Sequence, residues 1–277
     1  MSQKYVTQKK GDNLERELKI ALRRLFRINE FKKKIGSKKR LDLTSVSQSL
    51  QNYLQGLPIG LTLIYGPSGA GKSKLARTMA SILSLEGHTV LYVIVENDVD
   101  APTGSPEHLY IADFRRFLPS PQRTALQIKL LAQHINAEIV FIDSIAQIVE
   151  SSNKAVWEAD IRPIIFELSD WSRDEDIHLV AINQVRGDET RFAPAGGQAV
   201  RHASILTLLM FQTNPQLIWV AKRFNVPLGK YFLYIEKDKE GLAFSGYTFE
   251  VKYKDQSPIL KPINIKTVKN EKREKDE

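Results

Sequence analysis

The chain has 277 residues, of which 42% are hydrophobic and 26% are charged, and its formal net charge at pH 7 is +8. This balance is typical of a globular protein with a large core, and the sequence shows neither an apolar run long enough to cross a bilayer nor a secretory signal. Cysteine is absent, which excludes disulfide bonds, thiolate metal sites and cysteine nucleophiles. We therefore expect a cytoplasmic protein with one large α/β domain and basic extensions.

The amino-terminal segment is strongly basic. Residues 1–40 hold 14 Lys and Arg against 4 Asp and Glu, whereas the remaining residues hold 26 against 28. An apolar residue at every third or fourth position predicts an amphipathic helix within residues 12–35, and these residues are Leu14, Leu18, Leu22, Leu25 and Ile28. We expect residues 1–45 to form this helix and a basic linker that binds a polyanion. The alternative is a solvated helix that only keeps the protein soluble.

Beyond Leu57, short β-rich runs alternate with helical stretches, which is typical of a mostly parallel sheet flanked by helices. The β-rich runs are LTLIY, TVLYVIV, LYIAD, EIVFID, HLVAIN, ILTLLMF, LIWVAK and YFLYIE. The last three follow one another closely, so we expect antiparallel hairpins that turn near Asn214-Pro215 and near residues 227–229. The predicted core spans residues 46–260, and residues 261–277 are expected to form a charged flexible tail.

The segment GPSGAGKS fits the phosphate-binding pattern G-x-x-x-x-G-K-[ST] and lies between the strand LTLIY and a predicted helix. Its glycines let successive backbone N–H groups surround the phosphates of a nucleotide, and the start of the helix adds its dipole. Lys72 is expected to neutralise phosphate charge, and the hydroxyl of Ser73 to ligate Mg²⁺. The predicted nucleotide-binding residues are Gly66, Pro67, Ser68, Gly69, Ala70, Gly71, Lys72 and Ser73. A chance glycine turn is the alternative.

Three predicted strands carry polar residues suited to ATP hydrolysis where they end. Asp143 ends EIVFID and is suited to hold Mg²⁺ through its water shell, the alternative being a turn former. Glu96 follows TVLYVIV and is the candidate general base for the attacking water, the alternative being a polar exit turn. Gln184 follows HLVAIN, where its amide either senses the γ-phosphate or caps the strand. The predicted catalytic residues are Lys72, Glu96, Asp143 and Gln184, and the predicted metal ligands are Ser73 and Asp143.

The order of these motifs resembles the RecA/RadA recombinase superfamily, and most of all an archaeal RadA paralogue with only the core ATPase domain. In sequence order the features are GPSGAGKS, the strand before Glu96, HLYIADFRRF, EIVFIDS, and NQV followed by PAGGQAVRHAS. The resemblance covers residues 57–245. It implies a RecA-like P-loop fold that binds ATP and Mg²⁺, an ATPase in which Glu96 activates water, and coupling of the nucleotide to DNA through Gln184.

The resemblance also implies two DNA-contacting loops, at residues 150–160 and 186–197. Their candidate contacts to single-stranded DNA, through phosphates and stacked bases, are Lys154, Trp157, Arg186, Arg191 and Phe192. Ordinary surface connections are the alternative for both loops. The implied function is a slow, DNA-stimulated ATPase that binds single-stranded DNA and modulates homologous recombination and DNA repair, with a RadA-type recombinase as its protein partner.

Several features of the family do not match this sequence. No helix-hairpin-helix domain or Phe-x-x-Ala motif precedes the core, and the spacing between Glu96 and His108 is too short for the usual helix. Without that domain and motif we do not expect recombinase-type filaments. TRFAPAGG lacks the Asp-Pro that caps a neighbouring subunit's ATP, which argues against an ATP site shared between subunits. The second loop is short, so we do not expect strand exchange. The main alternative function is a KaiC-like ATPase whose nucleotide gates a protein interaction. A small-molecule P-loop kinase is a weaker one, because the sequence shows no arginine-rich lid.

Overall fold

The computed structural model describes residues 39–96, 100–115, 120–150, 157–186, 193–214 and 218–263. Its helices are α1 (Gln48–Leu54), α2 (Lys72–Leu85), α3 (Pro121–His134), α4 (Gln147–Glu150), α5 (Trp157–Asp174), α6 (Gly197–Ala203) and α7 (Ile218–Phe224). Its strands are β1 (Arg40–Leu41), β2 (Leu57–Pro58), β3 (Gly60–Gly66), β4 (Val90–Ile94), β5 (Leu109–Asp113), β6 (Ile139–Asp143), β7 (His178–Arg186), β8 (Ala193–Pro194), β9 (Leu206–Gln212), β10 (Tyr231–Asp238), β11 (Thr248–Lys254) and β12 (Ser257–Pro262). The amphipathic helix predicted within residues 12–35 lies outside these ranges. None of the described helices has the length and apolar character that crossing a bilayer requires.

One mixed sheet of ten strands organises the described chain. Its strands follow the order β12-β11-β10-β9-β3-β7-β6-β4-β5, with β8 paired to β7, so β12 and β5 are the outer strands. The strands from β9 to β5 pair in parallel, whereas β10, β11 and β12 add antiparallel pairs beyond β9. The predicted fold class, a mostly parallel sheet with flanking helices and antiparallel strands at its carboxyl-terminal end, is confirmed.

The structure corrects the prediction for the segment between β9 and β10. The run LIWVAK was predicted as a strand, but most of it lies in helix α7, which spans Ile218–Phe224. A short apolar run does not distinguish a strand from a helix that packs on a sheet, and Phe224 indeed stacks on Phe211 of β9 with ring centroids 4.6 Å apart. β10 still pairs antiparallel with β9, but α7 replaces the hairpin turn expected near Asn214-Pro215.

The boundaries of the sheet also differ from the prediction at both ends of the core. β12 extends to Pro262, so Lys261 and Pro262 belong to the sheet, although they fall in the segment expected to be a tail. β1 begins at Arg40 and pairs with β2, although this residue falls in the segment expected to be a basic linker. β11 was not among the predicted strands, because Lys252 and Lys254 interrupt its apolar residues.

Apolar side chains cover both faces of the sheet. One core cluster includes Val93 from β4 and Leu168 from α5, and the cluster on the opposite face includes Met79 from α2 and Phe141 from β6. Neighbouring residues of a strand point to opposite faces, so a parallel strand covered on both sides needs a continuous apolar run. This burial fixes the carboxyl ends of β3, β4 and β6 at one edge of the sheet, where the predicted site residues lie.

Candidate nucleotide-binding site

The predicted phosphate-binding loop lies at the carboxyl end of β3 and leads into α2. Gly66 is so close to β9 that a Cβ atom on it would lie 1.8 Å from the carbonyl oxygen of Met210. Gly71 is the N-cap of α2 with a φ of 87°, a left-handed conformation that glycine adopts without steric cost. A Cβ atom on Gly69 would meet nothing within 4 Å. The loop therefore has open space beside its backbone before the first turn of α2, which suits an anion.

Lys72 is the first residue of α2, and its side chain is largely buried. Its Nζ donates a hydrogen bond of 2.7 Å to the carbonyl oxygen of Pro67, in the same loop. Burial lowers the pKa of Lys72 to about 8, and the carboxylates of Glu96 and Asp143 oppose this shift. A phosphate group in the loop would favour the charged amine as these carboxylates do. Lys72 is thus suited to bind an anion.

Asp143 is buried at the end of β6 and accepts a hydrogen bond on each carboxylate oxygen. Ser73 Oγ donates to Oδ1 at 3.1 Å, and the hydroxyl of Tyr92 on β4 donates to Oδ2 at 2.8 Å. Burial raises the pKa of Asp143, although both hydrogen bonds act in the opposite direction. Ser73 and Asp143 together offer the hard oxygen ligands that Mg²⁺ prefers.

These two side chains fit an ion that keeps much of its water. No group of three or more His, Cys, Asp or Glu that could hold a metal occurs within the described ranges. Mg²⁺ is usually held by one or two protein ligands together with water and substrate phosphates, so the small donor set at Ser73 and Asp143 matches the chemistry of Mg²⁺ rather than that of an all-protein metal cage.

Glu96 and Gln184 meet at the same edge of the sheet. Glu96 follows β4, and its backbone N–H donates to the carbonyl oxygen of Asp143 at 3.3 Å. Gln184 Nε2 donates to Glu96 Oε1 at 3.4 Å. In the parallel pairing of β3 with β7, Gln184 lies opposite Gly66, the first residue of the phosphate-binding loop. A carboxylate and an amide therefore lie next to the loop.

The neighbouring residue Asn183 holds Gln184 in place. Asn183 Oδ1 accepts from the backbone N–H of Gln184 at 2.9 Å, and Asn183 Nδ2 donates to the carbonyl oxygen of Ala195 at 2.9 Å. The backbone N–H of Ala195 in turn donates to the carbonyl oxygen of Gln184 at 2.8 Å. Through these bonds Gln184, which lies in β7, is linked to Ala195 on the far side of the connection between β7 and β8. β7 itself continues to Arg186, so it is longer than the run HLVAIN.

The structure describes only two of the five predicted DNA-binding residues. Lys154, Arg191 and Phe192 lie outside the described residues. Trp157 is the first residue of α5 and Arg186 is the last residue of β7, and only these backbone positions are described. Their contacts with DNA therefore stay predictions, as do the chemical roles of the residues that meet at the loop.

A cavity of about 190 Å³ lies beside α2, and its lining includes Lys74, the residue that follows the phosphate-binding loop. Its walls come from α2, from the segment before β5 and from the turn between β11 and β12, and they are formed by Lys74, Arg77, Thr78, Ser81, Ile82, Ala101, Pro102, Thr103 and Gln256. Arg77 forms an ion pair of 3.1 Å with Asp100 at this cavity. Residues 100–108 form no helix, as the short spacing before His108 predicted.

The sequence analysis missed Tyr92 as a member of the site. Tyr92 was placed only within the run TVLYVIV, whereas the structure shows its hydroxyl bound to Asp143. A tyrosine in an otherwise aliphatic buried strand was the available signal, because a buried hydroxyl needs a hydrogen-bond partner. The sequence could not indicate which residue that partner is.

No protein-family model matches the chain. Over 156 residues, which are 56% of this chain and 33% of the relative, the chain is 29% identical to the DNA repair protein RadA of Chlamydia trachomatis. It is 28% identical to the DNA repair protein RadA of Chlamydia muridarum, again over 156 residues, 56% of this chain and 33% of that relative. The match therefore spans about a third of the length of these curated relatives. In structure, the chain is similar to a KaiC-like protein from the archaeon Pyrococcus horikoshii OT3, with a TM-score of 0.60 and 15% identity over 81% of this chain and 99% of that chain.

The fold is that of the RecA-type P-loop ATPases: a mostly parallel sheet with the phosphate-binding loop after β3 and an acidic residue at the end of β6. The similarity to the two RadA proteins and to the KaiC-like protein supports the RecA/RadA-type superfamily, as the order of the motifs predicted. At that level the predicted resemblance is confirmed.

Proposed function

We propose that the chain binds ATP with Mg²⁺ and hydrolyses it slowly, and that single-stranded DNA stimulates the hydrolysis. The observation that carries this proposal is the meeting of Lys72, Ser73 and Asp143 at one loop, with Glu96 hydrogen-bonded to Gln184 beside it. Phosphoryl transfer depends on groups that position the phosphates and on a group that orients the attacking water. The arrangement provides candidates for both tasks.

The phosphates of ATP are proposed to bind to the backbone N–H groups of residues 66–73 and to Lys72. Ser73 and Asp143 would hold Mg²⁺, which neutralises the charge that develops on the phosphates when it is bound. The cavity beside α2 is the proposed place of the nucleoside, because its lining includes Lys74, directly after the loop in the chain, and offers the polar side chains of Thr78, Thr103 and Gln256.

Glu96 is proposed to act on the attacking water as a general base. Its carboxylate is within reach of the amide of Gln184, and Gln184 is linked to both sides of the β7–β8 connection. DNA bound at that connection would shift Gln184 and thereby orient Glu96. This route accounts for stimulation of hydrolysis by a ligand that does not touch the nucleotide.

Single-stranded DNA is the proposed ligand of the loops at residues 150–160 and 186–197. Support comes from the names of the two bacterial relatives, which are DNA repair proteins, and from the excess of Lys and Arg in residues 1–40. The proposed biological role is that of a RadA paralogue that modulates a RadA-type recombinase in homologous recombination and DNA repair. Base stacking tolerates any sequence, so little base preference is expected.

The test is ATP hydrolysis measured with and without single-stranded DNA. The unmodified chain is expected to hydrolyse ATP faster when DNA is added, and Lys72→Ala to lose nucleotide binding. Glu96→Gln is expected to bind ATP but to hydrolyse it about 100-fold more slowly or worse, because general base catalysis contributes roughly 10²–10⁴-fold.

The matched control for this test is Glu86→Gln, which removes an exposed carboxylate at the end of α2, outside the site. Its rate of hydrolysis is expected to equal that of the unmodified chain. Normal hydrolysis by both Lys72→Ala and Glu96→Gln would exclude the proposed site. Hydrolysis that depends on both residues but is indifferent to DNA would exclude only the DNA part of the proposal.

A second candidate function is a nucleotide-gated interaction protein that does not act on DNA. The observation that favours it is the similarity of the fold to the KaiC-like protein, together with the missing Asp-Pro in TRFAPAGG. Nucleotide-dependent binding of a protein partner, with no DNA binding at low salt, would select this function. DNA binding that falls steeply as salt rises would select the first one.

A further inference from the structure

Tyr92 is a buried tyrosine to which the proposed function gives no role. It lies in β4 with no exposed surface, and its ring stacks on Phe141 of β6 with centroids 5.7 Å apart. Tyr92 and Phe141 are opposite each other in the parallel pairing of the two strands, and Asp143 lies further along β6. The ring therefore extends along the strand direction, and its hydroxyl reaches the Asp143 carboxylate at 2.8 Å.

Two hydroxyl groups from different elements fix the Asp143 carboxylate. Ser73 on α2 donates to Oδ1 at 3.1 Å and Tyr92 on β4 donates to Oδ2 at 2.8 Å. The terminal torsion of an aspartate is broad when nothing holds it, and one donor on each oxygen restricts it to a narrow range. A carboxylate offers about four lone-pair sites, so both oxygens can still accept hydrogen bonds from the water shell of a cation.

Resting on the proposed Mg-ATP site, we infer that Tyr92 is a positioning residue whose hydroxyl fixes the Asp143 carboxylate in the orientation that holds hydrated Mg²⁺ beside Ser73. Tyr92 acts through Asp143 and touches neither the nucleotide nor the reacting atoms. Removal of such an outer hydrogen bond typically lowers metal affinity by about 10–100-fold. The effect of Tyr92 is therefore expected in the Mg²⁺ requirement of the protein.

Tyr92→Phe separates this role from packing, because it removes the hydroxyl and keeps the ring that stacks on Phe141. Tyr65→Phe is the matched control. Tyr65 is also almost completely buried, and its hydroxyl also donates to a carboxylate, that of Glu236 at 2.9 Å. Tyr92→Phe loses one hydrogen bond to a charged group, whereas Tyr65→Phe loses two, because Arg201 Nη2 also donates to the Tyr65 hydroxyl at 3.0 Å. We therefore expect Tyr65→Phe to lower Tm at least as much as Tyr92→Phe. Of these two tyrosines, Tyr92 is the one whose hydroxyl is bonded to Asp143.

The measurement is the binding of a fluorescent ATP analogue as Mg²⁺ is titrated, and again in EDTA. Tyr92→Phe is expected to raise the half-saturating Mg²⁺ concentration about 10-fold and to leave the affinity for the analogue in EDTA unchanged. Tyr65→Phe is expected to change neither value. In an Asp143→Asn background, Tyr92→Phe is expected to cause no further shift, because its effect passes through the carboxylate.

Four outcomes would overturn the inference. An unchanged Mg²⁺ requirement in Tyr92→Phe would show that the hydroxyl does not position Asp143, while the proposed function would stand. Equal shifts in Tyr92→Phe and Tyr65→Phe, or a further shift in the Asp143→Asn background, would indicate a general loosening of the core. Failure of the unmodified chain to bind the analogue with Mg²⁺ would remove the proposed function as well, so the two failures are distinguishable.

Discussion

Two glycines of the phosphate-binding loop are constrained in different ways, and this difference predicts the effect of replacing them. A Cβ atom on Gly66 would lie 1.8 Å from the backbone oxygen of Met210. Backbone atoms of a central strand cannot move aside as a flexible side chain can, so β3 or β9 must shift. We expect Gly66→Ala to lower the free energy of unfolding by about 3 kcal/mol, the upper part of the usual range for overpacking. Urea denaturation measures this loss.

The matched control for Gly66→Ala is Gly69→Ala. A Cβ atom on Gly69 meets nothing within 4 Å, so its cost is only that of a left-handed backbone with a φ of 72°, about 1 kcal/mol. If Gly66→Ala unfolds at the same urea concentration as Gly69→Ala, the close approach of β3 to β9 does not prevent a side chain at position 66.

At the level of single residues, the sequence predicted those parts of the site that depend on local patterns. Lys72 and Ser73 belong to one continuous motif, and Glu96 and Asp143 follow recognisable buried strands, so their place at one edge of the sheet could be predicted. Tyr92 could not be found in this way. It is separated from Asp143 by 51 positions, and its role depends on the pairing of β4 with β6, which no local pattern indicates.

Among the elements, β1 is joined to the end of β10 by a buried ion pair. Arg40 Nη2 lies 2.6 Å from Asp238 Oδ1, and these side chains are 4% and 0% exposed. Arg40 Nε lies 2.7 Å from Glu240 Oε2, and Nη1 donates to the carbonyl oxygen of Leu54 at 2.8 Å. Arg40→Leu would leave the carboxylate of Asp238 buried without this cation. We expect it to lower the free energy of unfolding by about 3–5 kcal/mol, measured by chemical denaturation.

Arg173→Leu is the control for Arg40→Leu. Arg173 pairs with Asp170 at the surface, where the side chains are 46% and 61% exposed, and such pairs contribute at most about 1 kcal/mol. Equal losses of stability in the two variants would contradict the argument from burial.

The predicted elements were correct where periodicity and length agreed. The apolar runs of β3, β6 and β9 are continuous because the helices cover both faces of the sheet. The run LIWVAK was predicted as a strand but lies mostly in α7, because so short a run has no clear period that distinguishes a helix from a strand. β1 was assigned to a basic linker because Arg40 lies in a run of Lys and Arg, and its partner Asp238 is 198 positions away.

For the whole molecule, the uneven distribution of charge predicts how DNA binding depends on salt. Residues 1–40 hold 14 Lys and Arg against 4 Asp and Glu, but Arg40 belongs to the compact unit that begins there. A deletion that tests the basic segment should therefore end at residue 39. We expect it to reduce the slope of log affinity for single-stranded DNA against log salt by roughly 0.7 for each phosphate that the segment neutralises. Fluorescence anisotropy over a salt series measures the slope.

Substitutions in the full-length chain provide the control for that deletion. Replacing Lys32, Lys33 and Lys34 by Gln is expected to reduce the slope, whereas replacing them by Arg, which keeps the charge, is expected to preserve it. A slope that the deletion does not change would exclude the basic segment from DNA binding and leave the loops at residues 150–160 and 186–197 as the candidates.

The outer strand β5 has a consequence for handling the purified protein. In the described part of the sheet its one neighbouring strand is β4, and its residues Tyr110 and Ile111 are 40% and 41% exposed. An outer strand with exposed apolar residues is a template for a strand of another molecule. Crowded or warmed solutions bring such templates together. We therefore expect aggregation through this strand, rather than unfolding of the core, to limit how long concentrated samples can be stored.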